Sequence, residues 1–130
     1  MPDGAVEIYE KTRELLRFCE ETIRAGSIPS KIYEEMVALA NEKGIGDNFM
    51  GPGDLAVKFT GHSVGLEVNE LPVLAPRFDE PLAEGNTLAI EPKYTHPDWG
   101  VIGVENTYAV RNDRLENLTE ISEDIISVAG

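Results

Sequence analysis

Three side chains in this chain have the type and setting of metal ligands: His62, Glu91 and Glu105. His62 stands in Thr60-Gly61-His62-Ser63-Val64-Gly65, Glu91 in Ala89-Ile90-Glu91-Pro92, and Glu105 in Gly103-Val104-Glu105-Asn106-Thr107. A neutral imidazole is the commonest protein metal ligand. Each residue is flanked by Gly, Pro or β-branched neighbours, which places each at a strand end or a tight turn. Glu91 lies 29 residues after His62, and Glu105 lies 14 after Glu91. The shorter gap fits a strand, a turn over His96–Gly100 and a returning strand, which would bring the two carboxylates side by side. Two adjacent inward carboxylates repel unless a cation lies between them. That chemistry is hard and oxygen-rich and suits a pair of Mn, Co or Zn ions better than a thiolate zinc site. The same spacing fits two outward-facing edge charges, and spacing does not choose between them. Three ligands make part of a dinuclear site, not all of one.

Two other patterns carry less. Gly61-His62-Ser63-Val64-Gly65 matches the Gly-x-Ser-x-Gly nucleophile elbow, which requires a helix directly after the serine. The following Leu66-Glu67-Val68-Asn69-Glu70-Leu71-Pro72 alternates and meets a proline, so a serine hydrolase is disfavoured. His96 and Asp98 fall in a turn and read as solvated, while Tyr94 and Trp99 fit a substrate rim or sheet-edge packing.

The elements that must position these residues follow from periodicity. Ala5, Ile8, Thr12, Leu15, Leu16, Cys19 and Ile23 recur at three- and four-residue steps and predict a helix over 4–25, with Asp3 as N-cap and Gly26 as stop. A second helix is predicted over Pro29–Glu42, with Ile32, Met36, Val37 and Ala40 as its apolar stripe. Gly44–Gly53 reads as loop. Strands are predicted at Ala56–Thr60, Thr87–Glu91, Val101–Val110 and Leu115–Leu118, and Leu71–Ala83, with three prolines, as extended but irregular. Two helices followed by strands and turns imply an α+β domain: two helices on one face of an antiparallel sheet, residues 1–130 forming a single domain.

Charge and composition narrow the function classes. The 24 acidic and 11 basic residues give a net charge of −13, which repels phosphate backbones and argues against nucleic acid as a partner. No apolar run approaches the length of a membrane span, so a membrane partner is not expected. The first residues lack a leader's basic and apolar segments. Cys19 is the sole cysteine, which excludes an intrachain disulfide and points to a reducing, cytoplasmic setting. Its neighbours Phe18, Glu20 and Glu21 bring no positive charge, so a reactive thiolate is not expected.

Taken together, the His62, Glu91-Pro92 and Val104-Glu105-Asn106-Thr107 pieces resemble the pita-bread metallopeptidases: methionine aminopeptidases, Xaa-Pro aminopeptidases and prolidases. Glu116-Asn117-Leu118-Thr119 resembles that family's closing segment, and the compact Glu91–Glu105 spacing is similar to the Xaa-Pro branch. The resemblance implies the C-terminal half of the catalytic domain only, because the family's two aspartate ligands lie on a hairpin before the helices. Asp47 and Asp54 are too close to His62 to replace them. It further implies a metal pair (Mn, Co or Zn) in the complete domain, and does not require that this chain bind one alone. His62 would bind one ion, Glu105 would bridge the two, and Glu91 would serve as ligand and proton relay, making His62 and Glu91 the catalytic candidates. Asn69 takes the place of a substrate-contacting histidine. An amide there can hydrogen-bond a peptide but not shuttle a proton. Lys93 replaces the glycine of Glu-Pro-Gly, and Gly103 replaces an arginine. The implied function is an Xaa-Pro-type aminopeptidase fragment acting on peptides, itself inactive. The alternative is a non-catalytic binding module. A lone half would leave an apolar face open, so a homo-oligomer is expected.

Overall fold

The computed structural model describes residues 2–128, with only the backbone of Asp3. Helix α1 spans Asp3–Thr22 and helix α2 spans Pro29–Glu42. Two 3-10 turns follow, Gly46–Asn48 and Gly53–Leu55. The strands are β1 (Gly61–Ser63), β2 (Glu70–Leu74), β3 (Thr87–Ile90), β4 (Lys93–His96), β5 (Gly100–Gly103), β6 (Asn106–Val110) and β7 (Leu115–Asn117). Five form an antiparallel sheet in the order β2-β1-β3-β6-β7, and β4-β5 make a separate two-stranded ribbon.

The α+β architecture is the one the periodicity implies. Leu15, Leu16, Cys19 and Ile23 of the first helical segment and Ile32, Met36 and Ala40 of the second are buried. They pack on Leu74, Leu88, Ile90, Tyr108, Val110 and Leu115 of the sheet. Successive strand residues point to opposite faces, so Leu88 and Ile90 fix the helix-covered face of β3, and Thr87 and Ala89 take the other. The i,i+3 and i,i+4 pairs read on α1 are present: Lys11 to Glu7 at 2.7 Å and Arg13 to Glu10 at 3.1 Å. Burial pushes the Cys19 thiol up, and its sulfur lies 3.4 Å from Met36 Sδ, so it behaves as a core residue. The Tyr108 ring is buried at the helix–sheet interface and its O–H donates to Glu20 Oε1 at 2.7 Å.

Three local expectations are corrected and one is met. Helix α1 starts at Asp3, with Pro2 at the cap position and no side-chain cap bond; it ends at Thr22, where Ile23 turns extended. Ala56–Thr60 alternates like a strand but joins no strand ladder; Val57 N–H donates to Met50 O, and Thr60 meets the sheet, donating to Leu74 O and accepting from Glu91 N–H, all at 3.0 Å. Leu71–Ala83 is extended and irregular as expected: its first residues belong to β2, whose ladder with β1 shifts register between His62 and Ser63 and leaves Leu71 and Pro72 without partners, at an edge where one side of the ladder is unused. Val101–Val110 is two strands, broken at Val104-Glu105. The break faces Glu91-Pro92, and a proline without an N–H cannot carry the ladder across.

Candidate metal centre

The break in the ladder is what builds the site. Ile90 pairs with Asn106 and Lys93 pairs with Gly103. The two chain segments therefore keep one register across an unpaired step, and Glu91 comes level with Glu105. Both line one cleft of about 230 Å³ together with Pro92, Lys93, Val101, Gly103 and Val104. The hairpin expected from the fourteen-residue gap is thus formed, with both carboxylates at its base.

His62 reaches the same region from the neighbouring strand. It pairs with Ala89, two residues before Glu91, and Ala89 pairs with Thr107, two residues after Glu105. By strand alternation His62, Glu91 and Glu105 stand on the sheet face away from the helices. Gly61 makes the close approach of β1 to β3 possible: a Cβ there would lie 2.8 Å from Ala89 O and 3.0 Å from Leu74 Cδ1.

The His62 ring is buried and oriented. Its Nδ1 lies 3.0 Å from the Ser63 carbonyl, which only accepts, so Nδ1 carries the proton and Nε2 presents its lone pair. Phe59 meets the ring edge-on at 6.2 Å. Nε2 lies 3.9 Å from Glu91 Oε1. That is too long for a hydrogen bond. Two electron-pair donors at this separation suit one divalent ion, whose bonds to imidazole and carboxylate are about 2.0–2.2 Å. The other carboxylate oxygen of Glu91, Oε2, is 3.2 Å from Lys93 Nζ. The backbone of Glu91 is held by its N–H bond to Thr60 O, and the buried Thr60 hydroxyl finds no partner among the described residues.

The donor set fits part of a hard-cation site. Of the three, His62 and Glu91 bring donor atoms close to each other, at 3.9 Å. Glu105 shares the cleft but is exposed, and among the described residues no three His, Cys, Asp or Glu side chains gather as a metal-binding cluster. Asn69 is exposed on the loop between β1 and β2. Asp47 and Asp54, exposed in the two 3-10 turns, add no ligand.

The other candidates resolve against chemistry. Ser63 lies within β1 with no helix after it, and its hydroxyl sits 3.5 Å from that of Thr87. His96 stacks on Trp99 at 3.7 Å between ring centroids and accepts the Asp98 backbone N–H at 3.1 Å, a self-contained turn. Tyr94 accepts from Asn48 Nδ2 at 3.3 Å, at the ribbon's junction with the first 3-10 turn. Sequence reasoning noted Lys93 only as a replaced glycine. The signal that finds it is the two-residue step from Glu91, which puts both side chains on one side of an extended segment.

Comparisons with known proteins agree with this frame. The Xaa-Pro dipeptidase of Pyrococcus furiosus is 27% identical over 120 residues, covering 92% of this chain and 32% of that protein. Among solved structures, the X-Pro aminopeptidase from Thermotoga maritima superposes with a TM-score of 0.87 at 25% identity, over 98% of this chain and 34% of its own. The Xaa-Pro dipeptidase from Bacillus anthracis gives 0.84 at 29% identity, over 96% of this chain and 33% of its own. The chain therefore spans about a third of the length of the relatives it matches, and its two helices and antiparallel sheet are the corresponding part of the pita-bread peptidase fold. The profile of metallopeptidase family M24 matches residues 2–112, and the chain belongs to that family.

Proposed function

We propose that this chain is the C-terminal portion of the catalytic domain of an Xaa-Pro-type metalloaminopeptidase, residues 1–130 forming one domain. The observation that carries the reading is the oriented His62 Nε2 facing Glu91 Oε1 at 3.9 Å, level with Glu105 across a broken hairpin. The names of the relatives point to peptides with proline in the second position as substrates. Divalent ions (Mn, Co or Zn), when bound, supply Lewis acidity that lowers the pKa of water. His62 offers Nε2 as a neutral ligand because Ser63 O holds the proton on Nδ1. Glu91 offers a ligand oxygen and is the carboxylate placed to carry a proton to a leaving amine. Glu105 offers a second carboxylate at the same level, fit to bridge. Asn69 is proposed to hydrogen-bond the peptide. No helix among the described residues is long and apolar enough to cross a membrane. A cytoplasmic location is proposed from the single reduced cysteine.

The experiment is hydrolysis of an Xaa-Pro dipeptide with Mn²⁺. With three ligands, the isolated chain is expected to show no turnover. Robust turnover by this chain alone would overturn the fragment reading. A second reading, a non-catalytic binding module, is favoured by the lack of a three-ligand cluster among the described residues. An upstream hairpin bearing two aspartates in the encoding gene would sink it.

A homodimer is proposed as well. Leu66, Val68 and Leu71 are exposed on the loop after His62 and at the edge strand β2, which has a free ladder side. Sedimentation at high concentration is expected to show a dimer or larger species. A strictly monomeric profile would contradict this.

A further inference from the structure

The cleft already holds one cation of its own. Lys93 Nζ lies 3.2 Å from Glu91 Oε2, and both side chains are mostly buried, at 31% and 17% exposure. The backbone of Lys93 is held in place. Its backbone pairs with Gly103 on one side, and its carbonyl accepts Met50 N–H at 2.8 Å. Its stem lies against the bare backbone of Gly103, where a Cβ would come within 2.7 Å of Pro92 O and 2.8 Å of Lys93 Cβ. The position opposite Lys93 therefore has no room for a side chain, and the ammonium is directed along the cleft wall to Glu91. The carboxylate consequently has two claimants: His62 and any ion it holds at Oε1, and Lys93 at Oε2.

We propose that Lys93 is the resident counter-cation of Glu91, so that a divalent ion entering between His62 and Glu91 competes with the lysine ammonium, and Lys93 sets the affinity of the site for metal. The proposal rests on the reading of His62 and Glu91 as a ligand pair. Its physical basis is simple. Opposite charges at contact in a partly buried cleft attract strongly, and like charges in the same cleft repel, so an ammonium at Glu91 weakens the pull on a second cation. Without it, the cleft presents Glu91 and Glu105 with no basic residue among its lining side chains.

The test is a calorimetric Mn²⁺ titration of the whole chain and its variants. Lys93→Met keeps the apolar stem and removes the charge, Lys93→Gln keeps polarity, and Lys93→Arg keeps the charge. Lys31→Met, on the exposed surface of α2, is the control for net charge alone. Circular dichroism and melting confirm that each variant folds. The expected result is about tenfold tighter Mn²⁺ binding in Lys93→Met and Lys93→Gln, binding near wild type in Lys93→Arg and Lys31→Met, and loss of the gain when His62→Ala is added. Wild-type affinity in both neutral variants, with binding still lost in His62→Ala, would overturn the counter-cation role and leave the ligand pair standing. An equal gain in Lys31→Met would also overturn it, as an effect of total charge. No binding by any variant at millimolar Mn²⁺ would overturn both the counter-cation role and the ligand pair.

Discussion

Replacing Ile90 with alanine is expected to cost about 2–5 kcal/mol of stability and to disturb the candidate site as well. Ile90 is fully buried in β3, between Gly61 of β1 and Asn106 of β6, and it faces the helices. Removing three carbons there leaves a cavity that the sheet cannot close, because both ladder neighbours are fixed by backbone bonds. A domain of this size has about 5–15 kcal/mol in total, so the variant would sit near the edge of folding. Urea unfolding measures it. With a slope of about 1–3 kcal/mol per molar, the midpoint should fall by about 0.7 M or more. Leu66→Ala, at a fully exposed position, should change stability by less than about 0.5 kcal/mol. A loss under about 1 kcal/mol for Ile90→Ala would mean that β3 is not the centre of the core. The neighbouring Glu91 ties this to function: a loosened β3 moves the carboxylate relative to His62.

Much of the fold is legible because its signals are local. The α1 stripe of Leu15, Leu16, Cys19 and Ile23 and the α2 stripe of Ile32, Met36 and Ala40 repeat with the helical period, and each of these residues is buried. The turn over His96–Gly100 and the antiparallel sheet also follow from turn chemistry and order. What was misread depends on partners distant in sequence. Ala56–Thr60 has strand-like alternation, but a strand needs an edge to pair with, and β1 already takes the places beside β2 and β3. Val101–Val110 contains one weak breaker, Gly103, which alone does not fix where the strand stops. The interruption comes from Pro92 on the facing segment, and only the register shows that the two meet.

The candidate site divides in the same way. His62, Glu91 and Glu105 are visible as residue types in Gly- and Pro-flanked settings, and the hairpin between the glutamates follows from their spacing. Their shared sheet face follows only from the pairing of His62 with Ala89 and of Ala89 with Thr107. The orientation of His62 depends on the Ser63 carbonyl, a backbone contact that no side-chain pattern announces. Lys93 was readable as a charge but not as the partner of Glu91, since the extended geometry that aligns them arises from the break at Pro92.

The central claim is that His62 and Glu91 hold a divalent cation at the base of the hairpin. The second large effect follows from it: His62→Ala and Glu91→Ala should each abolish the binding, because each removes one of the two donors that face each other at 3.9 Å. Paramagnetic Mn²⁺ broadens nearby nuclear resonances and reports even millimolar affinity, so it suits a partial site. We would titrate Mn²⁺ into the labelled chain and follow the His62 ring and the backbone signals of 61–63, 89–93 and 103–107. The account predicts broadening centred on these three segments, absent in His62→Ala and in Glu91→Ala. Broadening spread over the acidic surface of α1, unchanged in both variants, would contradict it.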